Sequence, residues 1–335
     1  MWKIQNRTPF AADYSWCRDR DGADTWLVAV KCTFLIRPDG ATVEAPEQAP
    51  VVRVPVYRGD PKTSSLLYDS DLYWLKPATD VLLHGHAYAP GGKPAKQVDV
   101  TLKFAEVAKT LRIVGDRRWQ RGSLGLSASE PEPFVKMPLL YERSYGGGDP
   151  ASADPNKPQF EPRNPAGVGF TSAEGQLLPN IEEAGVNLRK KPAGFGPIAP
   201  HWQPRIKYAG TYDEAWQNER CPLLPKDFDE QFFLCAPEDQ RSKQPLKGGE
   251  SFELHHLTPG GVLKFRLPRV ALGFETFFFD GRRETHRGEL HSVIVEPDVP
   301  RVILVWHTRV RCHERVLKLE RTVVTRKTVL NPAVD

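Results

Sequence analysis

Several separated runs alternate apolar and polar residues with a period of two, the pattern of a strand with one buried face. Gln97–Phe104 (QVDVTLKF) and Lys109–Val114 (KTLRIV) show it most plainly. Trp26–Ile36 (WLVAVKCTFLI) is rich in β-branched and aromatic residues and closes on Pro38-Asp39-Gly40. That predicts a strand turning into a hairpin with Ala41–Glu44. Val51–Tyr57 is expected as a strand that Pro55 pushes toward a sheet edge or a bulge. Asp69–Trp74 leads through Lys76-Pro77 into a strand at Asp80–Tyr88, and the pattern continues in Asp116–Trp119 and Phe134–Tyr145. A second set follows at Gly261–Pro268, Ala271–Phe279, Leu290–Glu296, Arg301–Arg311 and Arg315–Thr325, with Asp280-Gly281 as a hairpin turn.

Between the two sets the periodicity stops. From Gly146 onward Gly-Gly-Gly-Asp-Pro, Asn164–Phe170 and Leu178–Glu182 are turn signals, and a loop this long inside a compact fold is often functional. Pro192–Gln240 then concentrates Trp, Phe, Pro, Gly and Asp. Thr211 and Glu214, three apart ahead of Trp216, have the spacing of a capping box. They predict a helix from Thr211 to Arg220 or Cys221, stopped by Pro222, and a second short helix is expected from Pro225 to Phe233. Phe228, Phe232 and Phe233 would form the inner face of the second. Aromatics at this density need burial, so the segment should pack on sheet, as the plug of a core or as a groove for a ligand or another chain. Trp202, Trp216, Phe228 and Phe232 are expected in that core or groove wall.

The predicted fold is mainly β: an antiparallel β-sandwich, or open-barrel-like sheets, with a long irregular central segment carrying one or two short helices. Residues 1–145 are expected as an N-terminal antiparallel lobe, 146–245 as the loop-rich segment and 246–335 as a C-terminal antiparallel lobe, integrated into one unit. A chain of 335 residues permits one elaborate domain or two lobes, and 31 Pro and 26 Gly against 2 Met favour a loop-rich β protein. The net charge of +4 is mild. Its signs are interleaved except in short runs such as Arg189–Lys191 and Arg309–Arg315, so no nucleic-acid partner is implied. No apolar leader follows Met1 and no window is long enough for a membrane helix, so a cytoplasmic location without a membrane partner is expected. Cys17, Cys32, Cys221, Cys235 and Cys312 are scattered without a C-x-x-C pair and read as reduced, buried thiols.

Candidate chemistry is sparse. His84-Gly85-His86 on a predicted strand puts two imidazoles on one face, as some metal enzymes do. Further ligands would have to come from Asp80, His255, His256, His291 or His307, with no spacing to fix them. Histidines hydrogen-bonded at a sheet surface are the simpler reading, and no metal or other cofactor is expected. Cys221 and Cys235 lie in no nucleophile context, Gly-x-Ser-x-Gly is absent, and the glycines at 146–148 lack the Lys-Ser/Thr of a phosphate loop. Asp69, Asp71, Asp227 and Asp229 could supply an acid–base pair. The preferred role is tying: Asp213, Asp227 and Asp229 accept backbone N–H groups, with Arg163, Arg205 and Arg220 as ionic partners.

A set of motifs comes in one order: Asp71-x-Tyr73-Trp74-x-Lys76-Pro77-x-Thr79-Asp80-Val81, the glycines after Tyr145, Asn164-Pro-Ala-Gly-Val-Gly169, Leu178-Pro-Asn-Ile-Glu182 and Gly194-Phe-Gly-Pro197. Ala209-Gly-Thr-Tyr-Asp-x-x-Trp216, Pro225-x-Asp-Phe-Asp229 and Ala236-Pro-x-Asp-Gln240 complete it. Over nearly the whole chain this resembles the family of proteins encoded beside type VI secretion genes and described as accessory or effector-adaptor proteins. The resemblance implies a cytosolic adaptor or chaperone that binds a toxic effector and helps load it onto the secretion spike. Its partners would be that secreted effector and the spike or tip protein. Contacts are expected where the Asn164–Phe170 and Gly194–Trp202 loops meet the Tyr208–Trp216 turn. The residues are Asn164, Gly167, Phe170, Phe195, Trp202, Tyr208, Tyr212, Asp213 and Trp216, since rigid Gly-Pro loops beside aromatics lose little entropy on binding. The alternative is a metal- or carboxylate-dependent hydrolase acting on a sugar or ester.

Overall fold

Alternation places Trp26, Val28, Val30, Cys32 and Phe34 on one face of the strand Asp24–Ile36, and all five are buried. This strand is the spine of a six-stranded sheet ordered Ala11–Arg18, Asp24–Ile36, Arg301–Arg311, Glu289–Glu296 and Asp80–Leu83, with Thr42–Glu44 paired to the far end of the spine. Pairing is antiparallel except that Asp80–Leu83 runs parallel to Glu289–Glu296. A five-stranded antiparallel sheet carries Ile181–Glu183, Val107–Val114, Gln97–Phe104, Ser251–His255 and Val262–Arg266 in that order. A four-stranded sheet carries Lys3–Arg7, Leu319–Arg326, Leu272–Phe278 and Arg283–His286, its first pair parallel. Inward side chains of the three sheets join one apolar core, among them Val30, Leu304, Val100, Leu102, Phe252, Phe274 and Val324. The computed structural model describes residues 2–123, 125–149, 159–185, 190–312 and 316–327. Arg189 and residues 313–315 of the two basic runs lie outside the described residues, as do Leu124 and Pro150.

The protein is mainly β, as the periodicity predicts, but its sheets are mixed as well as antiparallel. The strands of the first 145 residues and of the last 90 share sheets: Asp24–Ile36 pairs with Arg301–Arg311, and Gln97–Phe104 pairs with Ser251–His255. Among the described residues no helix is long and apolar enough to cross a membrane.

The opposite face of the six-stranded sheet is different in kind. Leu82, Ile294 and Ile303 meet Cys235 and Ala236 of the irregular segment there, so that segment covers the sheet. Trp202, Ile198 and Ala199 of the segment form a second small core with Tyr141 and Leu66.

Several local expectations are corrected. The helix runs Glu214–Glu219 and its cap is Asp213, whose carboxylate accepts from the Trp216 N–H at 2.8 Å. Thr211 is not the cap, because its N–H and hydroxyl both donate to Asp227. The second helix shrinks to one 3-10 turn at Glu230–Phe233, capped by Asp229. Val51–Tyr57 pairs only at Val56–Tyr57, and Asp80–Tyr88 breaks after Leu83, resuming at His86 to pair with Lys136–Pro138. Lys3–Arg7, Ala11–Arg18, Ser251–His255 and Arg283–His286 are strands that the periodicity did not single out. All five cysteines are free, but Cys221 is exposed and Cys17 half-buried, so only Cys32, Cys235 and Cys312 act as buried hydrophobes.

Candidate functional site

The covered face of the six-stranded sheet carries charge. Lys31, Val305, Ser292 and Asp80 lie side by side across four strands. Burial of an ammonium or carboxylate is tolerable only with a close partner. Lys31 Nζ donates to Asp71 at 2.8 Å, and Lys76 Nζ donates to Asp80 at 2.7 Å and to the Ser292 hydroxyl at 3.0 Å. Asp80 also accepts the backbone N–H groups of Cys235 and Ala236, at 3.0 and 2.9 Å. Burial alone would raise its carboxyl, yet Lys76 and these two donors hold it below the ordinary value. Burial opposes the Lys76 ammonium as well, and Asp80 more than offsets it, so both groups stay ionised.

The irregular segment is fastened by the same means. Arg205, fully buried, faces Asp69 across 2.8 Å as an ion pair and donates to the carbonyls of Ile198 and Phe232. Tyr73 also donates to Asp69. The Gln240 amide donates to the carbonyls of Val81 and Phe195, clamping the Phe195 loop onto the edge strand. Asn164, at 0 % exposure, donates to the carbonyls of Tyr141 and Tyr145. Gly146 sits so close to it that a Cβ would stand 2.1 Å from the Asn164 carbonyl oxygen, which leaves room only for glycine. The polar members of the ordered motifs thus hold the fold together.

The expected candidates separate into two groups. Phe195 and Trp202, at 0 % and 1 % exposure, and Asn164 lie beneath the surface and shape the loops from inside. Gly167 packs against Asn164, where a Cβ would meet its amide at 2.4 Å. Phe228 is core as expected, whereas Phe232 is half-buried. Trp216 is a correction: it is half-exposed, its indole N–H donating to the Leu223 carbonyl at 2.8 Å. Tyr212, 55 % exposed, packs edge-on against it at 4.7 Å. With Asp213 exposed and Tyr208 and Phe170 half-buried, the Tyr208–Trp216 turn is the part of the expected site that faces solvent. It borders a hollow of about 210 Å³ floored by Pro225 and Asp227.

A larger cavity of about 410 Å³ opens between Lys109, Tyr141, the Pro192–Ile198 loop and the Gln203–Lys207 turn. Lys109 is buried there, donating to the Gly194 carbonyl and to Asp239, both at 2.7 Å, and burial pulls its ammonium below the ordinary value. Lys191 pairs with Glu183 and Arg163 with Glu161 at the rim. Acids and bases in the wall neutralise one another, so the cavity suits an inserted side chain or small molecule more than a proton transfer.

The carboxylates considered for acid–base work are committed elsewhere. Asp69 and Asp71 are tied to Arg205 and Lys31, while Asp227 and Asp229 accept backbone N–H groups. The tying role holds for Asp213, Asp227 and Asp229, but the arginines expected beside them go elsewhere. Arg163 pairs with Glu161, Arg205 with Asp69, and Arg220 donates to the carbonyls of Leu224 and Arg20. His84 and His86 turn to different partners. His84 is buried beside Arg58 and under the Tyr68 ring, while His86 bonds Asp298 at 2.6 Å. Burial first, and then Arg58, push His84 down to about 3. Among the described residues no group of three His, Cys, Asp or Glu side chains is placed to hold a metal ion. Lys31 and Lys109 were missed from sequence, and Arg205 was expected as an ionic partner but of other carboxylates than Asp69. The available signal was one lysine inside the apolar run Trp26–Ile36, a position where a charge demands a buried partner.

The family described as "Uncharacterized protein conserved in bacteria (DUF2169)" matches residues 21–307. Neither the curated proteins nor the solved structures hold a match to the chain.

Proposed function

Because the chain belongs to this DUF2169 family of bacterial proteins, and its motif residues serve the fold, we propose that it is a non-catalytic binding protein. The observation that carries this reading is the use of the ordered motifs. Asp80 and Gln240 pin the irregular segment over a charged sheet face, and Asp71, Lys76 and Asn164 are likewise bonded inside the fold. That investment makes sense if the outer surface of the segment must keep one shape. The surface presents Trp216 on a short capped helix with Tyr212 just ahead of its cap, and a few rigid aromatics are what a recognition surface needs to anchor a partner.

The finer reading rests on the resemblance to type VI accessory proteins. In it the chain acts in the cytosol as an adaptor that holds a toxic effector, without covalent chemistry, and passes it to the spike or tip protein. An adaptor must release its cargo, so a moderate interface with a polar rim is expected. The test is co-purification of the untagged toxin encoded beside this gene with the tagged chain, repeated with the double substitution Tyr212→Ala and Trp216→Ala. Loss of the toxin with an unchanged fold supports the reading. Normal secretion of the toxin from cells lacking the gene sinks it, and hydrolysis of a sugar or ester by the purified chain turns the assignment to the hydrolase.

A further inference from the structure

At the end of the six-stranded sheet away from Thr42–Glu44, a cavity of about 300 Å³ lies between the strand Arg301–Arg311, the hairpin strand Arg283–His286 and Trp74. We propose that it is a binding site for a small oxyanion of the phosphate type, either free or as the phosphate group of a small molecule. This is independent of the adaptor reading.

The argument is an account of donors. Three residues that line the cavity each carry a buried nitrogen with no hydrogen-bond partner among the described residues: Trp74 Nε1, His286 Nε2 and His307 Nε2. His307 is 1 % exposed. An indole N–H can only donate, and a buried donor left without an acceptor costs about 1–3 kcal/mol, so native structures rarely leave one unsatisfied. Two guanidinium groups, Arg287 and Arg309, also line the cavity, and neither forms an ion pair among the described residues. Arg309 stands 5.7 Å from the centre of the Trp74 ring, which keeps its charge over the indole.

Acceptors are scarce by comparison. The one carboxylate in the lining is Glu289, mostly exposed, 3.9 Å from His291 and held below its ordinary value by His291 first and Arg309 after it, which leaves Arg287 as the second positive charge. His291 and His307 stack at 4.6 Å and 12°, and burial holds both below the ordinary imidazole value. Each neutral ring carries one N–H, on either nitrogen, and an acceptor oxygen beside Nε2 selects the tautomer that donates from it. Guanidinium, indole and imidazole donors converging on one space, with excess positive charge, match a group whose every outward atom is an acceptor oxygen. A cation finds a single acid there, and an apolar group would leave the donors unmatched.

The test is isothermal titration calorimetry of the full chain with sodium phosphate, glycerol phosphate, sodium acetate and sodium chloride at constant ionic strength. Saturable one-to-one binding of phosphate or glycerol phosphate is expected, weakened about tenfold or more by Arg309→Gln and by Trp74→Phe, which keeps the ring and removes the N–H. Arg121→Gln, on a distant exposed hairpin, should bind as the parent does. Tighter binding of glycerol phosphate than of phosphate identifies a carried phosphate group, and the reverse identifies the free ion. The proposal is overturned if no oxyanion saturates, if acetate or chloride competes equally, or if Trp74→Phe and Arg309→Gln bind unchanged while circular dichroism shows them folded.

Discussion

Replacement of Asp80 by Leu tests whether the motif residues are structural. The Asp80 side chain is fully buried and serves Lys76 Nζ and the backbone N–H groups of Cys235 and Ala236. Leucine fills a similar volume but leaves the Lys76 ammonium with only the Ser292 hydroxyl. Breaking a buried ion pair from one side costs about 3–5 kcal/mol, and each orphaned backbone N–H adds about 1–3 kcal/mol. The sum reaches at least about 5 kcal/mol, the lower end of the total stability of a typical protein. Lys76→Met is expected to cost less, about 3 kcal/mol, because the carboxylate keeps its two backbone donors. The double variant should cost clearly less than the two singles together, since the uncompensated charge disappears with its partner. Urea unfolding followed by the fluorescence of the eight tryptophans measures all three, with Asp80→Asn as the milder substitute if the leucine variant does not accumulate. A loss below about 1 kcal/mol for Asp80→Leu, or strict additivity of the singles, would refute the reasoning.

Three further outcomes are expected. Between pH 6.5 and about 3 the unfolded chain holds a proton on residue 84 that the folded chain rejects, so His84 makes stability fall as pH falls through that window, by at most about 5 kcal/mol. Urea midpoints from pH 7 to 4 should show a shallower decline for His84→Phe, and an identical decline would disprove the assignment. Gly194→Ala would set its Cβ 2.9 Å from the Tyr141 ring and should destabilise by about 1–3 kcal/mol, whereas Gly260→Ala, with open space, should be near neutral in the same assay. Trp202→Ala should cost about 3–5 kcal/mol and half-exposed Trp216→Ala less than about 2, so equal losses in thermal melting would contradict the burial difference.

Strands with one dry face were legible because alternation is a local property. Gln97–Phe104 occurs with the bounds its alternation predicts, and Arg301–Arg311, buried on both faces, with those of its apolar run. Lys3–Arg7 and Ala11–Arg18 were not, since most of their side chains remain partly in water and the pattern has nothing to sort. The cap at residue 213 was misread for a related reason. Thr211 and Asp213 are both good caps, and the choice fell to Asp227, distant in sequence, which takes the threonine. Trp216 was placed too deep because aromatic density predicts burial of a cluster without saying which member lies outermost.

By itself the sequence determined the strand-forming stretches, the turns and the irregular centre, all of which follow from neighbours a few residues apart. Only the tertiary structure decided which stretches pair. It joined Asp24–Ile36 to Arg301–Arg311 and set Asp80–Leu83 parallel to Glu289–Glu296, and so brought Lys31, Asp71, Lys76 and Asp80 onto one covered face. The physical reason is that a charge stays in water unless the chain brings a buried partner within about 3 Å of it, and no local pattern encodes that distance.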